Sequence, residues 1–91
     1  MKVKNMVSAN GNFVPNQFII KKGATVWFQS YDTIVAKVSG SDVTLDTNAL
    51  NYSRTTSKYL YLFLDEYAPK YKGYKKAELK KAKNIAYVDL N

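Results

Sequence analysis

Gln17-Phe18-Ile19-Ile20-Lys21-Lys22-Gly23-Ala24-Thr25-Val26-Trp27-Phe28-Gln29-Ser30-Tyr31-Asp32-Thr33-Ile34-Val35-Ala36-Lys37-Val38 is the stretch that decides the fold. Three runs rich in β-branched and aromatic residues are separated by short links, the pattern of strands rather than helices. Lys22-Gly23 is brief enough for a hairpin. Tyr31-Asp32 offers a turn, because Asp can bond its own backbone there. Ser39-Gly40-Ser41-Asp42 is a further turn signal, and Val43-Thr44-Leu45-Asp46 alternates as a fourth strand. The expected core is an antiparallel four-stranded meander.

Downstream, Ser53 to Tyr67 carries two competing patterns. Tyr59, Tyr61 and Phe63 alternate with leucines as a strand would. Leu60, Phe63, Leu64 and Tyr67 also fall at i, i+3, i+4 and i+7, one helical face, and Ser53, Thr55 and Thr56 are N-cap candidates. Length and leucine content decide for a helix ending before Pro69. Tyr74–Lys83 reads as a second helix, with Leu79 and Ala82 on its apolar stripe. Ile85–Leu90 could close the fold as an added strand covering one sheet edge. Upstream, residues 1–12 are polar and read as a flexible arm. The fold class is therefore α+β: an arm over 1–12 and one domain over 13–91, a meander packed on one or two C-terminal helices.

Composition excludes more than it assigns. The 91 residues suit one domain, and a chain this short buries only about 60–65% of its unfolded surface. It has neither cysteine nor histidine. No disulfide, no thiolate nucleophile and no ordinary zinc site can be built in one chain, and the commonest general base is missing. Among the seven acidic residues only Asp65-Glu66 are adjacent, and on a helix they diverge by about 100°. Catalytic residues, metal ligands and cofactors are accordingly expected to be absent. Tyr59–Leu64, the longest apolar run, is far below the roughly 20 residues of a membrane span. The N-terminus has no apolar core resembling a signal peptide. A cytoplasmic protein with no membrane partner is the expectation.

Three groups of residues could carry a binding function. Lys70, Lys72, Lys75, Lys76, Lys80, Lys81 and Lys83 hold half of the 14 Lys and Arg residues, with Tyr67, Tyr71 and Tyr74 interleaved. Lysines attract phosphate without reading sequence, and tyrosine rings can stack on unpaired bases; a solvated helix face is the plainer alternative. The scarcity of arginine, Arg54 alone, weighs against base readout. The second group is aromatic: Trp27, Phe28, Phe18 and Phe63 read as core, and Tyr61, Tyr71, Tyr74 and Tyr87 as surface contacts. The third is the hydroxyl-rich pair Gln29–Ala36 and Asn51–Tyr59. There Tyr31, Thr33, Ser53, Thr55 and Thr56 could form an anion pocket at a helix start, while the nearby cations Arg54 and Lys58 join the lysines above as partner or nucleic-acid contacts. Ordinary capping is the alternative.

Asn16–Ile20, Phe28–Ala36, Tyr52–Tyr59 and Tyr87–Asn91 together resemble a family of small proteins of unknown function encoded by bacteriophages and mobile elements, many of them infecting Firmicutes such as lactic-acid bacteria. The pairing of Ser30-Tyr31-Asp32-Thr33-Ile34-Val35-Ala36 with Tyr52-Ser53-Arg54-Thr55-Thr56-Ser57-Lys58 is the specific part of the resemblance. Tyr59–Phe63 and residues 68–76 depart from it. The resemblance implies a phage context, the cytoplasm of a bacterial host and a compact fold, and it brings no catalytic residue. It implies a non-enzymatic accessory protein that binds, and inhibits, a host protein or nucleoprotein complex through the basic tyrosine-rich face. Sequence-tolerant nucleic-acid binding through the same lysines is the alternative, and a small anionic ligand at the Tyr31/Thr55 cluster a second. Exposed strand edges leave monomer and homodimer both open.

Overall fold

Two glycines set the hairpins. In a computed structural model describing residues 1–8 and 10–91, Gly23 (φ +59°) and Gly40 (φ +60°) each open a two-residue link. Primed hairpin turns need this left-handed first position, which suits the twist of the flanking strands. The strands so joined are β2 (Phe13–Lys22), β3 (Thr25–Ser30), β4 (Thr33–Ser39) and β5 (Asp42–Asp46). The β3–β4 link is different. Tyr31 there adopts φ +54°, outside the range that side chains favour. Its N–H donates to Asn16 O at 2.7 Å and its carbonyl accepts from Gln29 Nε2 at 2.6 Å, which holds the turn.

The four-stranded expectation is corrected to six. Residues 2–7 are not an arm: β1 (Lys2–Val7) pairs antiparallel with β2, with Lys2 opposite Lys21 and Lys4 opposite Ile19. The polar cluster Asn10-Gly11-Asn12 belongs to the link after this strand, and Lys-Val-Lys-Asn-Met-Val is an edge-strand sequence, charged along one face. At the far side β6 (Ile85–Val88) pairs parallel with β5, giving the order β1-β2-β3-β4-β5-β6. Parallel pairing follows from the helical crossover, which returns the chain to the start of β5. That crossover contains a 3₁₀ turn at Ala49–Asn51, α1 (Arg54–Tyr67), a 3₁₀ turn at Pro69–Tyr71 and α2 (Lys76–Lys81).

α1 covers one face of the sheet with Thr56, Tyr59, Leu60, Phe63 and Leu64, an i, i+3, i+4, i+7, i+8 stripe. Phe63 stacks on Phe28 with ring centroids 5.8 Å apart. A bulge opposite Phe28 adds one residue to β4, so that Val35 and Ala36, adjacent in sequence, are both fully buried. Among the described residues no helix lies over the other sheet face. Trp27 and Phe18 sit there, half-buried, which corrects the expectation that both join Phe28 and Phe63 in the core. The second helix is shorter than expected: Tyr74 and Lys75 precede it, Ala82 caps it and Lys83 lies beyond it.

Candidate functional site

Strand register gathers Lys2, Lys21 and Lys22 at one end of the sheet, where Asp42 also lies beside the Gly40-Ser41 turn. β2 and β4 end, and β1, β3 and β5 begin, on the same side. Lys2 therefore lies across from Lys21, and Lys22 follows at the Gly23 turn. The ammonium of Lys21 sits 5.1 Å from the ring centroid of Tyr67, the last residue of α1. Just beyond, Lys70 borders the Gly40-Ser41 turn in a pocket of about 210 Å³ that also includes Val38 and Val43. The crossover thus meets Lys21 at the end of the β1–β2 hairpin that also carries Lys2 and Lys22. Lys2, Lys21 and Lys22 are functional candidates that the composition of residues 70–83 alone does not reveal, because only the pairing of β1 with β2 brings them there.

Lys70, Lys72, Lys75, Lys76, Lys80, Lys81 and Lys83 are all exposed, as are Arg54 and Lys58 on α1. The tyrosines among them behave differently. Tyr71 is only 4% exposed and is removed from the contact candidates. Pro69 starts the 3₁₀ turn that swings its ring inward, where it meets Tyr74 edge-on at 5.3 Å. Tyr74 itself is half-buried. Lys75 Nζ stands 4.9 Å above the Tyr61 ring and Lys70 Nζ 5.8 Å from the Tyr71 ring. These rings hold ammonium groups by cation–π attraction, and the exposed cations form the outward surface.

The opposite end is polar and acidic. Asp32, Asp46 and Asp89 line an open pocket of about 510 Å³ with Thr33, Tyr52 and Asn91. Asp46 is 4% exposed. Its Oδ1 accepts from Leu90 N–H at 3.0 Å and from Asn91 Nδ2 at 3.1 Å, and its Oδ2 from Tyr52 Oη at 2.8 Å and Asn48 N–H at 3.2 Å. Burial alone would raise this carboxyl, but the four hydrogen bonds outweigh it and hold it below its ordinary 3.8. Burial and the Asp46 carboxylate push the Tyr52 phenol up to about 12. The carboxylate is thus engaged in tethering the β6 tail. No cluster of three or more His, Cys, Asp or Glu that could hold a metal occurs among the described residues.

Beside it lies the hydroxyl cluster. Tyr31, Thr33, Ser53 and Thr56 come together around a pocket of about 230 Å³, joined by Ser30, Val35 and Tyr52; Thr55 is exposed and lies outside that lining. The hydroxyls bond one another. Ser30 Oγ and Thr56 Oγ1 are 3.0 Å apart, and Ser53 Oγ accepts from the Thr56 N–H at 3.2 Å as the α1 N-cap. Across from Ser30 in the ladder lies Gln17, 1% exposed, whose Oε1 has no hydrogen-bond partner among the described residues. The cluster ties the β3 end to the α1 start and leaves few free donors for an anion.

A family model described as a family of unknown function, DUF8033, matches residues 1–81. The chain belongs to this family. The DUF8033 match spans β1 through α2, so it takes in both hydroxyl segments and all of the crossover lysines except Lys83. Neither the curated proteins nor the solved structures yield a match. No helix is long and apolar enough to cross a membrane among the described residues.

Proposed function

We propose that this is a non-enzymatic accessory protein of a phage or mobile element, acting in the cytoplasm of its bacterial host, where it binds and inhibits a host protein or nucleoprotein complex. The contact is the lysine end: Lys70, Lys72, Lys80 and Lys81 of the crossover with Lys21 and Lys22 of the hairpin. The observation that carries the reading is the contact of Lys21, which register places opposite Lys2, with Tyr67 where the lysine-rich stretch begins, on a domain of net charge +7. A concentrated positive end steers an acidic macromolecule and raises its association rate. The lack of histidine and cysteine supports a binding role over catalysis, and the phage context rests on the motif resemblance.

The test is affinity capture from a host lysate, treated with nuclease, with the native chain and with a Lys70→Gln, Lys72→Gln, Lys80→Gln, Lys81→Gln variant. One specific protein, retained at low salt and lost with the variant, is the expected result. Capture of nucleic acid alone before nuclease, and nothing after it, would transfer the site to the nucleic-acid reading. The burial of Tyr71 and the ammonium over Tyr61 argue against base stacking on those rings.

A further inference from the structure

On the far side from β6, the sheet ends in the free edge of β1, and the α1 stripe Lys58, Leu62 and Glu66 runs alongside it. Between them lies a groove of about 430 Å³ with Met6 and Ile19 at its base and Phe13 at its rim. Phe13 is 79% exposed, Val7 48% and Leu62 38%, three exposed large apolar side chains gathered at one place. Contiguous apolar surface of this kind marks an interaction site more often than chance exposure does. An unpaired strand edge beside it adds a row of backbone donors and acceptors.

From this juxtaposition we infer that the β1 edge and its groove take an extended acidic–apolar segment of a partner protein by strand addition. The incoming strand continues the ladder at β1. Its alternate side chains point to one face, so its apolar residues enter the groove between Met6, Phe13 and Leu62. Carboxylates at other positions of that same groove-facing set meet Lys4, which pairs with Ile19 and so shares its face, and Lys58, the two cations of the groove, while Glu66 excludes an acidic residue at the other end of the α1 stripe. Charge decides among occupants. A second copy paired edge to edge would crowd Lys2 and Lys4 of both chains onto one face of a six-residue ladder, a like-charge arrangement that edge strands use to prevent self-pairing. A nucleic acid cannot extend a backbone ladder, and the groove walls are mainly apolar. This surface is distinct from the crossover lysines, so it stands or falls separately from the reading above.

The probe is a library of random linear peptides selected against the full-length protein, with affinities then measured by fluorescence anisotropy. The expected selection is peptides in which every second residue, the groove-facing set, combines Leu, Ile, Val or Phe with Asp or Glu. Their binding should protect the amides of Lys2–Val7 from hydrogen exchange and weaken about tenfold or more with Leu62→Lys. Joint Lys4→Glu and Lys58→Glu should invert the preference toward basic peptides. Gln at Lys70, Lys72, Lys80 and Lys81 should leave it unchanged. All of these positions are exposed, and an unaltered Tm checks that each variant folds. No selected peptide, peptides without acidic enrichment, binding indifferent to Leu62→Lys, or a concentration-dependent dimer abolished by Leu62→Lys would each overturn the inference.

Discussion

The side-chain amide of Asn91 replaces a strand residue for Ile34. Asn91 Oδ1 accepts from Ile34 N–H at 2.8 Å, and Asn91 Nδ2 donates to Ile34 O at 3.0 Å. The β4–β5 ladder runs only from Ser39 to Ala36 on the β4 side, so these backbone groups would otherwise lack a strand neighbour. Asp46 completes the clasp by accepting from the same amide. Removing Asn91 with Ala should cost about 1–2 kcal/mol, because several hydrogen bonds go at once but the site faces water. Asp46→Ala should cost about 2–4 kcal/mol, since it leaves buried donors unpaired. Urea denaturation of the two variants checks the order, and equal costs would refute the central place given to Asp46.

The pH limits of stability follow from the same pair. Asp46 has a depressed carboxyl when folded, so its contribution is present above the unfolded value of 3.8 and is lost as pH falls through the lower folded value. Tyr52 is raised from 10.0 to about 12. Its contribution is full below pH 10.0 and is lost as pH rises toward about 12. Tyr52→Phe should therefore flatten the alkaline fall in Tm while leaving part of it, because burial also raises Tyr87. An alkaline limb identical to that of the native chain would show that Tyr52 ionises unhindered.

Thr56 separates a structural tie from an anion pocket. Its hydroxyl is buried against Ser30 and its N–H is capped by Ser53. Thr56→Val keeps the shape and removes the hydroxyl, and should lower stability by about 1 kcal/mol. Ser53→Ala should cost a similar ~1 kcal/mol through loss of the cap. Inorganic phosphate should not raise Tm in either the native chain or the variants. A phosphate-dependent rise abolished by Thr56→Val would restore the pocket.

These features were unequally legible in the residues. Gly23 and Gly40 announce two hairpins because only a few residue types open a primed turn, and the stripe Leu60, Phe63, Leu64 outweighs the alternation of Tyr59, Tyr61 and Phe63 in α1. β1 was hidden by its lysines, which look like a solvated arm until their alternation with Val3 is weighed as an edge strand. Pairing of β6 with β5 depends on the whole crossover and has no local signature. The same holds for the lysine end, since Lys2 and Lys21 meet only through ladder register. Tyr71 resembled a surface ring among lysines, and the turn at Pro69 that buries it left no periodic trace. Trp27, on the open face, shows that aromatic size alone does not place a residue under a helix.

Gln17 offers a gain rather than a loss. Its Oε1 is buried without a partner among the described residues, and an unpaired buried carbonyl costs about 1–3 kcal/mol. Gln17→Met keeps the length of the chain and removes the desolvated amide. Stability should rise by about 1 kcal/mol, or roughly 4–8 °C in Tm for a domain of this size. A drop in Tm on calorimetry would mean that the Gln17 amide has a role in holding the Ser30 end of β3.

The lysine end makes a prediction about salt that its composition alone does not. Each cation that contacts phosphate or a partner carboxylate adds to the salt dependence of binding, and cations farther away than a Debye length of about 8–10 Å add little. Lys21 lies far along the chain from the crossover yet its ammonium reaches Tyr67, and Lys22 follows it at the same end of β2. If that end is the contact surface, Lys22→Gln should weaken partner binding and reduce its salt slope about as much as Lys72→Gln does. Arg54→Gln, at the opposite end of α1 near the acidic pocket, should change neither. The comparison needs only affinities at several salt concentrations for three variants. Equal effects from Lys22 and Arg54 would mean that net charge, rather than the geometry created by the β1–β2 register, governs association.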